Sequence, residues 1–79
     1  MIGKNIPLYM IPCGKSAEIR ELTASGYLRS RLMDLGLIAG TKVESLRRSP
    51  FGDPTAYAVR GAVIALRSEE AAKILVKPI

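Results

Sequence analysis

The side chains of this sequence best suited to chemistry are guanidinium groups and one loop aromatic. Arg29 and Arg31 lie two apart, Arg47 and Arg48 are adjacent, and Phe51 follows three positions on. Arginine forks match carboxylates and phosphates, and arginine with an exposed aromatic is the commonest kind of interface anchor, so the chemistry on offer is recognition. The competing reading leaves the arginines solvated and folds Phe51 onto the core, as most single loop aromatics do. Bond-making chemistry has little to work with. Cys13 is the only cysteine and histidine is absent. No intrachain disulfide can form, no imidazole–thiolate metal site can be built within one chain, and no Ser-His-Asp or Cys-His group exists. The Asp and Glu residues show no paired arrangement, so no enzyme, metal ligand set or cofactor is expected. Gly14-Lys15-Ser16 carries the last letters of a phosphate-binding loop, but Tyr9 stands where that motif needs its first glycine.

With 79 residues, a single domain over 1–79 is expected, ordered over about 8–77. Such a chain hides only roughly 60–65% of its unfolded surface, so its core must be small. Hydrophobic residues at 48% and charged residues at 24% describe a globular domain. No apolar run approaches the length of a membrane helix, and Pro7 and Pro12 interrupt the early apolar stretch. Membrane insertion is therefore not expected, and a cytoplasmic setting is. The formal charge of +5 suits an acidic partner: a protein surface, nucleic acid or anionic lipid. Plain solubility would explain it equally well. Tyr9, Tyr27, Phe51 and Tyr57 are too dispersed to form a base-stacking platform.

The elements that position these groups are organised around residues 31–41. Leu28, Leu32 and Leu35 recur at helical spacing, which predicts a helix over about 27–35 with these leucines buried. Gly36 falls where that helix should stop. With Gly36 at C′, Leu32 and Leu37 become the pair that meets in a Schellman motif. Ile38-Ala39-Gly40-Thr41 fits a type II turn with Gly40 at the position of positive φ. Arg31 and Asp34 are spaced to pair on the helix surface.

Before this helix, residues 1–7 read as loose, and Leu8 to Ile11 as one apolar turn. Pro12-Cys13-Gly14 reads as a type I turn with Pro12 at its second position. A strand over Ser16 to about Leu22 points Ala17 and Ile19 inward, and Leu22 breaks the alternation, so either the strand ends there or a bulge re-aims it. Thr23 or Ser25 is placed to cap the helix. After it, Thr41 to Arg48 is a strand whose Val43 and Leu46, three apart, again require a bulge. Ser49 to Pro54 is a loop by composition, with Gly52 and Pro54 as its turn residues and Phe51 at its tip. Thr55 to Val59 and Ala62 to Arg67 form a hairpin about Arg60-Gly61. Ser68 caps a short helix with Glu69 and Glu70 in its first turn, and Ile74 to Val76 is a closing strand. About five short strands with one main helix between the first and second form a mainly β chain, which closure into a small barrel would protect at its edges.

In their order and spacing, Arg31-Leu32, Leu35-Gly36-Leu37, Gly40-Thr41, Gly52-Asp53-Pro54, and Leu66-Arg67 with Glu69-Glu70-Ala71 and Ile74 resemble the FeoA family of small ferrous-iron-transport proteins. Pro12, Gly14 and Ile19 fit the same pattern. Ala39 departs from it, since the family commonly has proline there. The resemblance implies an SH3-like β-barrel, like the C-terminal domain of iron-dependent repressors. It also implies a cytoplasmic accessory to FeoB, the membrane permease with a GTP-binding domain, acting as an interaction module and not as an iron carrier. The alternatives are a small basic barrel that binds nucleic acid, suggested by the charge and the Arg47-Arg48 pair, and a detached repressor-type domain that binds peptides. Weak self-association is left open.

Overall fold

A computed structural model describes residues 4–79. Its strands are β1 (Ile6–Pro7), β2 (Ser16–Leu22), β3 (Lys42–Arg48), β4 (Thr55–Val59), β5 (Ala62–Leu66) and β6 (Ile74–Pro78). They form one antiparallel sheet in the order β1-β6-β2-β3-β4-β5. A 3₁₀ turn over Leu8–Met10 follows β1, α1 (Gly26–Asp34) joins β2 to β3, and α2 (Ser68–Ala71) joins β5 to β6.

The sixth strand is Ile6–Pro7. It falls in the stretch expected to be loose, and it pairs with Val76 and Leu75. Residues 1–3 of that stretch lie outside the described residues. A two-residue strand has no periodicity to read, so only the partner strand reveals it. Among the described residues no ladder joins β1 to β5, so the expected closure is not made by strand pairing. Instead α2, which leaves β5, packs against the 3₁₀ turn, which leaves β1.

One cluster forms the core, with Leu8, Ile11, Ala17, Ile19, Leu32, Leu37, Val43, Tyr57, Val59, Leu66, Ile74 and Val76 all buried. Strand alternation delivers most of them. Ala17 and Ile19 come from β2, and Tyr57 and Val59 from β4. Two bulges adjust the register, one between Ile19 and Glu21 on β2 and one between Ser45 and Arg47 on β3. The second turns out differently from expectation: Ser45, not Leu46, is the buried companion of Val43, and Leu46 is left half-buried.

The helix end carries the connection to the core. Leu35 is the C-cap, the Leu37 amide donates to Leu32 O at 3.0 Å, and the Gly36 amide donates to Met33 O at 2.9 Å. These are the two bonds of a Schellman motif, and Leu32 and Leu37 are both fully buried. Gly36 sits at φ 95°, and a Cβ there would lie 3.0 Å from Arg60 Cδ. Gly40, at φ 92°, closes the type II turn through Thr41 N to Ile38 O at 3.1 Å. Leu28 and Leu35 are half-buried against the core and not enclosed; within α1 only Leu32, in the last turn, is fully buried.

Other local expectations are corrected. The early turn runs Pro12 to Lys15, closed by Lys15 N to Pro12 O at 3.0 Å, with Gly14 at φ 87°. Pro12 is therefore first and not second in the turn, and the turn is of type II. Ser25 occupies the N-cap of α1 but its side chain makes no capping bond, and the Thr23 hydroxyl donates to Lys73 O at 3.3 Å. At α2 the N-cap is Arg67 and not Ser68. The Ser68 amide donates instead to Asp53 Oδ1 at 2.7 Å, so a carboxylate from the β3–β4 loop serves this helix end.

Leu32→Ala should cost ~2–5 kcal/mol in urea unfolding, since the methyls it removes are fully enclosed. A cost below about 1 kcal/mol would mean that α1 does not anchor the core. Gly36→Ala should cost about 1–2 kcal/mol for its backbone conformation, and at least as much as Gly40→Ala, whose added Cβ meets open space.

Candidate functional site

The β3 bulge decides where the arginine pair points. Strict alternation from Val43 and Ser45 would aim Arg47 at the core. The extra residue turns it to the outer face, opposite Ala56, while Arg48 stands opposite Thr55 at the strand end. Arg48 Nη2 donates to Tyr9 O at 3.4 Å. The loop that follows is held by its own hydrogen bonds. Ser49 N donates to Pro54 O at 3.0 Å, Gly52 N to Ser49 O at 2.8 Å, and Ser49 Oγ to Asp53 O at 2.7 Å. Gly52 has φ 87° and the Asp53-Pro54 peptide is cis. On this braced loop Phe51 is 94% exposed, so it does not fold onto the core. Arg47, Arg48, Pro50, Pro54, Ala56 and Ala65 enclose an open groove of ≈ 440 Å³ beside it.

The other two arginines stand elsewhere. Arg29 Nη1 donates to Leu22 O at 3.1 Å, beside a second open groove between α1 and β2 that includes Arg20, Met33 and Ile38. Arg31 does not pair with Asp34. Its Nη1 donates to Glu70 Oε2 at 2.5 Å, while Glu70 Oε1 accepts the Arg67 amide at 2.9 Å. One carboxylate thus caps α2 and ties α1 to it. Arg47 and Arg48 line one groove with Pro50, the neighbour of exposed Phe51, while Arg29 and Arg31 stand at other contacts. Of the remaining turn residues, Gly61 sits at φ 84° beside Arg60 at φ 52°, the pattern of a type I′ hairpin.

Sequence reasoning missed a polar group behind the β3–β4 pair. Ser45 and Tyr57 are cross-strand partners, both buried, and Ser45 Oγ lies 4.0 Å from the Sγ of exposed Cys13. Burial pushes the Tyr57 phenol up, against the opposing pull of Thr55 and Arg48. Plain alternation from Val43 puts Ser45 on the inward face, and the expected pairing of Val43 with Leu46 hid it. Among the described residues no three His, Cys, Asp or Glu side chains converge on a point that could hold a metal ion, and no helix is long and apolar enough to cross a membrane.

A single six-stranded antiparallel sheet with a few short helices defines a small domain of SH3-like type. The chain belongs to the FeoA domain family, whose model matches residues 6–78. A relative in Porphyromonas gingivalis, an Fe(2+) transport protein A/Fe(2+) transporter FeoB fusion protein, is 32% identical over 64 residues. That match covers 81% of this chain but only 8% of the fusion protein's length. The solution structure of an FeoA-like protein from Clostridium acetobutylicum superposes with a TM-score of 0.90 at 29% identity, covering 99% of this chain and 91% of that one. FeoA of Stenotrophomonas maltophilia, an SH3 domain protein crystallised with zinc, superposes with a TM-score of 0.80 at 26% identity, over 95% and 91% of the two chains.

The Arg31–Glu70 pair gives a pH signature. Burial pushes the Glu70 carboxyl up, but the Arg67 amide and the Arg31 guanidinium together outweigh it and hold it below the ordinary glutamate range. A lowered folded value means stability that is present above the unfolded value and lost as pH falls through the folded one. The melting temperature should therefore drop on acidification below the ordinary glutamate range, and Glu70→Gln should flatten part of that drop. An unchanged pH profile in Glu70→Gln would show that the pair does not hold α1 to α2.

Proposed function

We propose that this chain is an accessory domain of a ferrous-iron transport system, acting by docking on the cytoplasmic side of an FeoB-type permease. The observation that carries this reading is the Porphyromonas gingivalis relative, in which a domain 32% identical to this one shares a polypeptide with FeoB. Covalent fusion holds two modules at high effective concentration, so a separate chain doing the same work needs a surface with affinity of its own. Arg47, Arg48 and Phe51 supply one. The arginines provide steering and directional hydrogen bonds, and Phe51 provides apolar area that is 94% exposed in the free chain. On this reading the domain neither catalyses a reaction nor carries iron; it changes what the permease does by occupying it. A cytoplasmic setting agrees with Cys13, a free and exposed thiol.

The test is a biosensor titration of the chain against detergent-solubilised FeoB-type permease. Phe51→Ala should weaken binding by ~1–3 kcal/mol and leave the melting temperature nearly unchanged, since the ring contributes nothing to the core. Binding undiminished in folded Phe51→Ala would remove the loop from the interface. Failure of the unaltered chain to bind would overturn the accessory role, and tighter, salt-sensitive capture of an oligonucleotide would replace it with nucleic-acid binding.

A further inference from the structure

Beyond the loop lies a face of the sheet that the core does not use. Two cross-strand rows compose the outer side of β3, β4 and β5: Glu44–Ala58–Val63, and Arg47–Ala56–Ala65. Their strand neighbours Val43, Ser45, Tyr57 and Leu66 are buried, so both rows point away from the core. The middle of this face is apolar and low, made of Ala56, Ala58, Ala65 and Val63, the last 68% exposed. Two open grooves run along it. One, of ≈ 290 Å³, lies among Lys42, Glu44, Ala58 and Arg60. The other is the ≈ 440 Å³ groove at Arg47, Ala56 and Ala65. Ala56 and Ala58 are two apart on β4, so the grooves are successive stretches of one shelf.

The rim of this shelf is cationic. Lys42, Arg47 and Arg60 border it and Arg48 stands at its lip, against Glu44 and against Glu18, which lies across from Lys42 on β2 and is shared with Arg20 at 3.5 Å. Arg60 is also held in place: it occupies a tight turn, and its side chain lies against Gly36.

We propose that this shelf binds an extended acidic segment of the partner protein, its backbone crossing Ala56, Ala58, Val63 and Ala65 and its carboxylates meeting Lys42, Arg47 and Arg60. The proposal rests on the docking role above and adds the chemistry of the occupant. Charge complementarity selects an acidic ligand. The alanines let a backbone approach closely, because nothing beyond Cβ stands in its way. Nucleic acid fits this face less well, since the floor has no ring for base stacking.

The experiment is an amide NMR titration of the whole chain with three probes. They are an end-blocked decapeptide alternating Glu and Val, its Lys–Val counterpart, and a ten-nucleotide oligothymidylate. The Glu–Val peptide should shift amides in residues 42–47, 56–58 and 62–65, with affinity that falls as salt rises. Arg47→Glu, which reverses a rim charge, and Ala58→Gln, which raises the floor without adding charge, should each weaken it by about tenfold or more while the spectrum stays folded. Shifts mapping elsewhere, unchanged affinity in both folded variants, or equal binding of either other probe on this face would overturn the proposal. Permease binding is measured in parallel. If the chain binds permease but not the Glu–Val peptide, the shelf is wrong and the accessory role stands. If the peptide maps to the shelf while permease is not bound, the accessory role fails and the shelf stands.

Discussion

The packing of Leu32 against Leu37 is the contact on which the other features depend. Both side chains are fully buried, yet one belongs to α1 and the other lies beyond its end. They meet because the chain reverses at Gly36, where the left-handed conformation sends Leu37 back over the helix and satisfies two helix-end carbonyls. In so small a core a single enclosed leucine is a large share of total stability, so the reversal is a condition of folding and not an ornament. The same glycine leaves room for Arg60, which joins the helix end to the β4–β5 turn. From the last turn of α1, Arg31 reaches Glu70, whose other oxygen caps α2. A short helix with little apolar surface is thus held through its reversal and one ion pair.

The surface follows from that frame through strand register. Alternation alone would point Arg47 inward. Alternation from Val43 keeps Ser45 in the core, and the bulge that follows it on β3 turns Arg47 to the outer face, just before a loop that keeps Phe51 in solvent. Asp53 links this lobe to the frame, since its carboxylate receives the first amide of α2 while its carbonyl accepts from Ser49. The loop is therefore braced from both sides, and a braced loop presents an aromatic at low entropic cost on binding.

What was legible in the amino-acid sequence was whatever local rules decide. The Schellman pair at Leu32 and Leu37, the type II turn at Gly40, the bounds of β2 and the Arg60-Gly61 hairpin each rest on a few neighbouring residues. What escaped needed a partner from far along the chain. Ile6–Pro7 becomes a strand only because Val76 and Leu75 are there to pair with it. Arg31 prefers a carboxylate thirty-nine positions away to Asp34 on its own helix, because Glu70 is already fixed by the Arg67 amide. Ser68 gives up the expected capping position to Arg67 because Asp53 arrives from another loop. Residue type alone marks five arginine and phenylalanine candidates, and type cannot say that Arg47 and Arg48 line a groove while Arg29 and Arg31 are turned to other contacts.

The most direct test of the account is the hydrogen-exchange footprint of the whole chain, free and bound to detergent-solubilised FeoB-type permease. If a rigid frame carries a separate docking face, binding should slow exchange across residues 42–65 and leave the amides of α1 and of Leu37 as protected as in the free chain. Protection gained chiefly over α1 and the β2 groove, with residues 42–65 unchanged, would contradict it.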